Sequence, residues 1–158
     1  MGRTATVELT PAEMRLGAEM GITRQIRNLM KGRPDAHGCA PNVGWQVHIE
    51  GCCGELAVAK YLDRYWSGNF EDLKADDVGQ YQVRTADDHN KRLILHEGDK
   101  DDRIYILITG LAPSYIIQGW ILAKEGKQKE FWSDPSRAGR PAYFVPRDCL
   151  HPISDLST

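Results

Sequence analysis

The sequence contains few cysteines and no excess of either charge. Its 158 residues include four cysteines, and 20 basic against 22 acidic residues give a net charge of −2 at pH 7. No overall basicity therefore points to nucleic acid. No C-x-x-C or H-x-x-x-H spacing is present either. This absence disfavours a zinc site built from the conceivable ligands His37, Cys39, Cys52 and Cys53.

Long apolar runs, repeats and low-complexity tracts are also missing. No stretch is apolar enough to span a membrane, and no secretory-signal pattern is present, so we expect a cytoplasmic protein without a membrane partner. With 41% hydrophobic residues, the chain 1–158 is sufficient for one globular domain with one sizeable core.

The charges that are present are unevenly distributed along the chain. Basic residues dominate 1–33, acidic residues dominate 71–102, and basic residues dominate again over 124–147. An acidic centre between basic ends suits a cation site flanked by phosphate-binding surfaces, although solvated surface charge is the simpler explanation.

The N-terminal segment 1–32 is expected to contain the first helix. Thr10 and Glu13 form a T-x-x-E capping box, Pro11 takes the first helical position, and Gly32 lies just beyond the end. The expected apolar face consists of Met14, Ala18, Ile22, Ile26 and Leu29. The opposite face carries Arg15, Arg24 and Arg27.

A second helix followed by short strands is expected in the rest of the chain. The helix should run from Trp45 or His48 to Tyr65. Runs of β-forming residues, separated by turn residues, predict strands at 81–85, 92–96, 104–110, 115–123 and 142–146. Helices followed by strands indicate an α+β domain, with a core at 45–110 and C-terminal strands and a tail at 111–158.

Glu55 lies inside the apolar, small-residue stretch "GELAVAKYL" (54–62) of this second helix. A buried carboxylate is costly unless its charge is compensated. Lys60 or Arg84 could form an internal salt bridge with it, and a bound cation would serve equally well. The residues leave these alternatives open.

The stretch "ADDVGQYQVRT" (75–85) places polar side chains on one face of a strand. Because side chains repeat every two residues along a strand, Gln82 and Arg84 share a face, and Val83 points to the other. Asp77 lies just before the turn and is expected to approach the Gln82/Arg84 face. Asp76 is its rival for that role.

Asp77 followed by Gln82-x-Arg84 resembles the D…(D/E/Q)-x-K motif of the PD-(D/E)xK nuclease superfamily, which has the restriction-endonuclease-like fold. Glu55 matches the additional acid that several branches supply from the preceding helix. The resemblance covers about residues 48–110, and the whole chain is similar to a small phage-type member. It implies a mixed sheet flanked by helices in an α/β/α-like arrangement, located in the host cytoplasm if the chain is phage-encoded.

The resemblance implies metal-dependent cleavage of DNA, or alternatively of RNA, with Mg²⁺ or Mn²⁺ as the cofactor. Glu55 and Asp77 would bind the metal, and the Gln82 side chain or the Val83 main-chain carbonyl would add an oxygen. Arg84 would stabilise the phosphate. Phosphodiester hydrolysis needs such a cation to stabilise charge and to lower the pKa of the attacking water.

Two departures from the family motif keep other functions open. Gln82 supplies a neutral oxygen where many members have a carboxylate, and Arg84 replaces a lysine. An inactive protein of this fold that binds nucleic acid or a protein partner is the main alternative. An accessory factor whose acidic centre binds a basic partner is the third.

The basic segments supply the expected contacts with the nucleic-acid backbone, and a homodimer is left open. Phosphate contacts of this kind provide affinity without sequence specificity. The candidate residues are Arg24, Arg27, Lys31, Lys124 and Lys127.

Overall fold

The computed structural model describes residues 2–32, 43–68 and 75–157, which contain three α-helices and seven β-strands. The helices are α1 (Pro11–Met30), α2 (Gly44–Tyr61) and the single-turn α3 (Ala123–Gly126). The strands are β1 (Ala5–Glu8), β2 (Tyr81–Ala86), β3 (Leu93–Leu95), β4 (Ile104–Leu111), β5 (Ser114–Leu122), β6 (Trp132–Ser133) and β7 (Ala142–Val145).

The described strands form two sheets. The larger has the order β1-β5-β4-β2, in which β5 is antiparallel to both β1 and β4, whereas β2 is parallel to β4. The smaller is antiparallel, with the order β3-β7-β6. The prediction of an α+β fold with a mixed sheet is confirmed. The five predicted strands are present, whereas β1 and β6 were not predicted.

Apolar side chains cover both faces of the mixed sheet. On one face, Ile106 of β4 belongs to the same buried cluster as Val58 of α2. On the other face, Leu107 is clustered with Leu95 of β3 and Val145 of β7. The small sheet therefore takes the place that a second helical layer would have in an α/β/α arrangement.

The beginning of α1 follows the sequence prediction. Thr10 Oγ1 accepts a hydrogen bond from the Glu13 amide at 3.2 Å, and Glu13 Oε2 accepts one from the Thr10 amide at 2.8 Å. Pro11 opens the helix, and Gly32 has a φ of +60° just beyond the C-cap. The capping box is confirmed because both reciprocal bonds are present.

The predicted apolar face of α1 is wrong in the second half of the helix. Ile22, Ile26 and Leu29 are 38%, 46% and 53% exposed. The buried residues of α1 are instead Gly17, Gly21 and Gln25.

Close helix packing explains this difference. A Cβ atom at Gly21 would lie 2.5 Å from Ile49 Cα and 2.8 Å from the His48 carbonyl oxygen, so α2 contacts the bare backbone of α1 there. Positions three residues apart share a helix face, and Arg24 therefore turns toward α2 with Gly21. Glycine, which a hydrophobicity pattern scores as neutral, marks the true contact face.

Helix α2 ends at Tyr61, four residues before the predicted Tyr65, and is buried continuously from Cys52 to Ala59. A Cβ atom at Gly54 would overlap the Thr85 side chain, so α2 lies directly against β2 at this level. This contact brings Glu55, the next residue, beside the edge of the described sheet.

Candidate active site

Glu55 is only 4% exposed, and its counter-ion is Arg24 of α1. Arg24 Nη2 lies 2.9 Å from Glu55 Oε2 and donates a hydrogen bond to Oε1 at 3.3 Å. The Arg24 side chain is 15% exposed, and the same nitrogen donates to the Gly68 carbonyl. Neither Lys60 nor Arg84 pairs with Glu55, because both form ion pairs elsewhere.

Asp77 reaches Glu55 from the turn that precedes β2. The turn at 78–81 is tight, and Gly79 takes a φ of +58° within it. Asp77 Oδ2 accepts a hydrogen bond from the Val83 amide at 2.8 Å, which fixes the carboxylate over the start of the strand. Here it is close enough to Glu55 for a side-chain hydrogen bond between the two carboxyls when a proton is present.

The pKa of Glu55 is raised well above its ordinary value of 4.5. Burial is the largest cause, and the negative charge of Asp77 raises the pKa further, whereas Arg24 lowers it. If both carboxyls were ionised, they would carry more negative charge than Arg24 compensates. A proton or a metal cation would be stabilised between the two groups for this reason.

One buried oxygen of Glu55 has no hydrogen-bond donor in the described part of the chain. Arg24 Nη2 carries two N–H bonds and directs them at Glu55 Oε1 and at the Gly68 carbonyl. Glu55 Oε2 therefore accepts no hydrogen bond, although it lies 2.9 Å from the same nitrogen. These residues fit Mg²⁺ or Mn²⁺, because such ions are commonly held by one or two carboxylates together with waters.

Gln82 lies on the opposite face of β2 and contacts a different aspartate. Its Nε2 donates to Asp76 Oδ1 at 2.6 Å, and Asp76 Oδ2 lies 3.1 Å from Arg103 Nη1. Val83 is buried in the cluster shared with α2, so Gln82 and Arg84 point away from that helix, on a common face as predicted.

The structure thus divides the predicted set of four residues into two pairs. Glu55 and Asp77 lie together on the α2 side, whereas Gln82 and Arg84 lie on the other side of the same strand. The expectation that Asp77 approaches the Gln82/Arg84 face is corrected, because Asp76 contacts that face instead. The Val83 amide donates a hydrogen bond to the Asp77 carboxylate, so Val83 holds Asp77 in place.

Arg84 is held by Asp99, a residue that sequence reasoning missed. Arg84 Nη2 lies 2.9 Å from both Asp99 carboxylate oxygens, its Nε donates to the Ile94 carbonyl at 3.3 Å, and its guanidinium carbon lies 4.9 Å from the Tyr105 ring centre. Asp99 also accepts a hydrogen bond from the His96 amide at 2.8 Å. The acidic composition of the turn at 96–103 was the available signal, and it did not single out Asp99.

The predicted nucleic-acid contacts include two side chains that the fold uses internally. Arg24 is buried against Glu55, and Lys127 Nζ binds Asp101 at 2.8 Å and carbonyl groups of the 96–103 turn. Both predictions are corrected for this reason. Arg27 is half-buried, whereas Lys31 and Lys124 are exposed.

The cysteines of α2 do not form a zinc centre with other described residues. Burial raises the pKa of the Cys52 thiol to about 12 and that of Cys53 to about 11, which opposes the thiolate form that binds zinc. His37 and Cys39 lie outside the described residues. Within 2–32, 43–68 and 75–157, no three His, Cys, Asp or Glu side chains are grouped as a metal site.

Comparisons with protein families, curated proteins and solved structures gave no match to this chain. The described helices include none with the length and apolar character needed to cross a membrane.

Proposed function

We propose that the protein is a metal-dependent nuclease that hydrolyses phosphodiester bonds in nucleic acid, with DNA as the expected substrate and RNA as the alternative. The observation that carries the proposal is the pair of the buried Glu55 and the half-buried Asp77, in which one Glu55 oxygen accepts no hydrogen bond. Such a pair is unfavourable without a cation and is the ligand type that Mg²⁺ and Mn²⁺ prefer.

Glu55 and Asp77 would hold the metal, which would stabilise charge on the phosphate and lower the pKa of an attacking water. The surrounding fold holds both carboxylates in place. Glu55 is fixed by a buried helix, and Asp77 is fixed by the Val83 amide at 2.8 Å. Ligands held in this way need little reorganisation when the substrate binds.

The other face of β2 would hold a neighbouring phosphate of the nucleic-acid backbone, because it lies across the strand from Glu55 and Asp77. Arg84 and Arg103 bring two positive charges to this face, each paired with an aspartate. A phosphate group would compete with Asp99 for Arg84, since guanidinium groups bind phosphate and carboxylate oxygens alike. The exposed Lys31 and Lys124 would add contacts with the nucleic-acid backbone.

Cleavage of supercoiled plasmid and of single-stranded DNA with Mg²⁺ or Mn²⁺ tests the proposal. The variant Asp77→Asn removes the negative charge while keeping an oxygen that can accept from the Val83 amide, so the fold should persist. We expect it to lose at least about 100-fold in cleavage rate, because a metal ligand is removed. Chelation by EDTA should stop the wild-type reaction.

The matched control is Asp148→Asn, which changes an exposed aspartate in the short helix at 147–149. Its cleavage rate should equal that of the wild type. Equal cleavage rates of Asp77→Asn and Asp148→Asn would show that Asp77 is not a metal ligand of the active site. Absence of cleavage by the wild type with both ions would reject the enzyme itself.

A second candidate, an inactive protein that binds nucleic acid or a protein partner, is favoured by one specific observation. Arg24 and Arg84 already neutralise Glu55 and Asp99 without a metal. Salt-sensitive DNA binding that is unchanged by EDTA, together with no cleavage, would support this candidate over the nuclease.

A further inference from the structure

We propose that Arg24 competes with the divalent cation for Glu55 and thereby sets the metal affinity of the site. This inference rests on the proposed function, because it assumes that Glu55 is a metal ligand. It adds a role for a residue of α1, outside the segment at 48–110 that carries the metal ligands. Arg24 is a positioning residue here, since it acts on the cation through Glu55.

The Arg24 guanidinium lies beside Glu55, where a bound cation would also lie. Its Nη2 lies 2.9 Å from the Glu55 oxygen that accepts no hydrogen bond, and the side chain is 15% exposed. The Gly68 carbonyl accepts a hydrogen bond from the same nitrogen. The negative charge of Asp77 also favours the charged form of Arg24, more weakly than that of Glu55.

A metal ion at Glu55 Oε2 would therefore be next to a buried positive charge. Like charges a few ångströms apart repel strongly where water is excluded. The ion must either displace the Arg24 guanidinium from Glu55 or bind beside it with reduced affinity. In both cases Arg24 weakens metal binding, and its removal should strengthen it.

Isothermal titration of Mn²⁺ into three purified proteins tests the proposal. They are the wild type, Arg24→Gln, and the control Arg15→Gln, which removes the same charge from an exposed position on the same helix. We expect Arg24→Gln to bind Mn²⁺ at least about tenfold more tightly than the wild type. Arg15→Gln should bind as the wild type does, because its charge is screened by solvent.

Arg24→Gln leaves Glu55 without its counter-ion, and thermal melts therefore accompany the titration. The variant should melt at a lower temperature than the wild type in EDTA, and Mn²⁺ should raise its melting temperature more than that of the wild type. If Arg24→Gln does not fold, Arg24→Lys replaces it. The shorter ammonium is a weaker competitor for Glu55, so Mn²⁺ binding should tighten at least about threefold.

The outcomes separate this proposal from the proposed function. Wild-type Mn²⁺ binding that is not tightened by Arg24→Gln, or by Arg24→Lys where that variant is used, overturns the role of Arg24 and leaves the metal site standing. Equal tightening by Arg15→Gln overturns it as well, because the effect would then be one of net charge. Absence of Mn²⁺ binding by every folded variant overturns both the metal site and the competition.

Discussion

At Glu55, burial and two neighbouring charges act on a single carboxyl group. Burial and Asp77 oppose its ionisation, Arg24 favours it, and the first two effects dominate, since its pKa is raised above 4.5. Protonated Glu55 therefore stabilises the folded protein. This contribution is complete below pH 4.5 and is lost as the pH rises through the pKa of the folded state.

Glu55→Gln should make this balance measurable. The wild type should lose stability as the pH rises above 4.5, whereas the variant lacks the titrating group. The free energy of unfolding of the variant minus that of the wild type should therefore increase as the pH rises above 4.5. At neutral pH in EDTA it should be at least as stable as the wild type. Denaturant unfolding across this pH range is the measurement, with the exposed Glu130→Gln as the control.

The opposite result would assign Glu55 a structural role. A loss of about 3–5 kcal/mol at neutral pH, with no dependence of the difference on pH, is what removal of one partner from a buried ion pair produces.

At Arg84, the structure supports a prediction that lysine can replace arginine. A single nitrogen, Nη2, contacts both oxygens of Asp99, and one ammonium group can make the same contact, while the Nε bond to the Ile94 carbonyl and the guanidinium contact with Tyr105 would be lost. Arg84→Lys should therefore retain or raise plasmid cleavage, as lysine is the commoner residue in the family that the motif resembles. Arg84→Ala should lower it, because Asp99 and the phosphate would both lose a positive charge. Equal rates for the two variants would exclude a role for this charge.

Among the elements, the contact between α1 and α2 determines where Arg24 points. Gly21→Ala should destabilise the protein by about 1–3 kcal/mol, because its Cβ would lie 2.5 Å from Ile49 Cα and the helices would have to separate. Gly51→Ala is the matched control on α2, where an added Cβ meets no atom within 4 Å. It should stabilise the protein by about 0.5–1 kcal/mol through helix propensity.

Thermal and denaturant unfolding of the two glycine variants would test whether α1 and α2 contact each other at Gly21. Stabilisation by both substitutions would show that the helices do not touch at Gly21, and the inward direction of Arg24 would lose its basis.

Local signals predicted most of these elements. The capping box at Thr10 and Glu13 predicted the start of α1, and runs of β-forming residues between turn residues predicted β2, β3, β4, β5 and β7. The two strands that were not predicted, β1 and β6, have four and two residues, and neither belongs to a run of β-forming residues such as those at 92–96 and 142–146 that predicted the comparably short β3 and β7. The contact face of α1 was not predictable from hydrophobicity, because glycines and Gln25 form it.

Over the whole molecule, the site combines residues that are distant in the chain. The resemblance to the nuclease motif predicted that Glu55 and Asp77 act together. Arg24 was not predicted beside them, because it lies 31 residues from Glu55 and only the packing of α1 on α2 brings the two together. Asp99 lies 15 residues from Arg84 and reaches it through the turn after β3. A single sequence shows neither pairing.

The most direct test of the metal site is a crystal soaked with Mn²⁺ and measured for anomalous scattering. We predict a peak about 2.2 Å from carboxylate oxygens of both Glu55 and Asp77, with waters in the remaining positions. The same soak of Asp77→Asn should show a weaker peak or none. A peak at Asp76 or Asp99 instead, or no peak in wild-type crystals, would contradict the claim that the Glu55–Asp77 pair binds the metal.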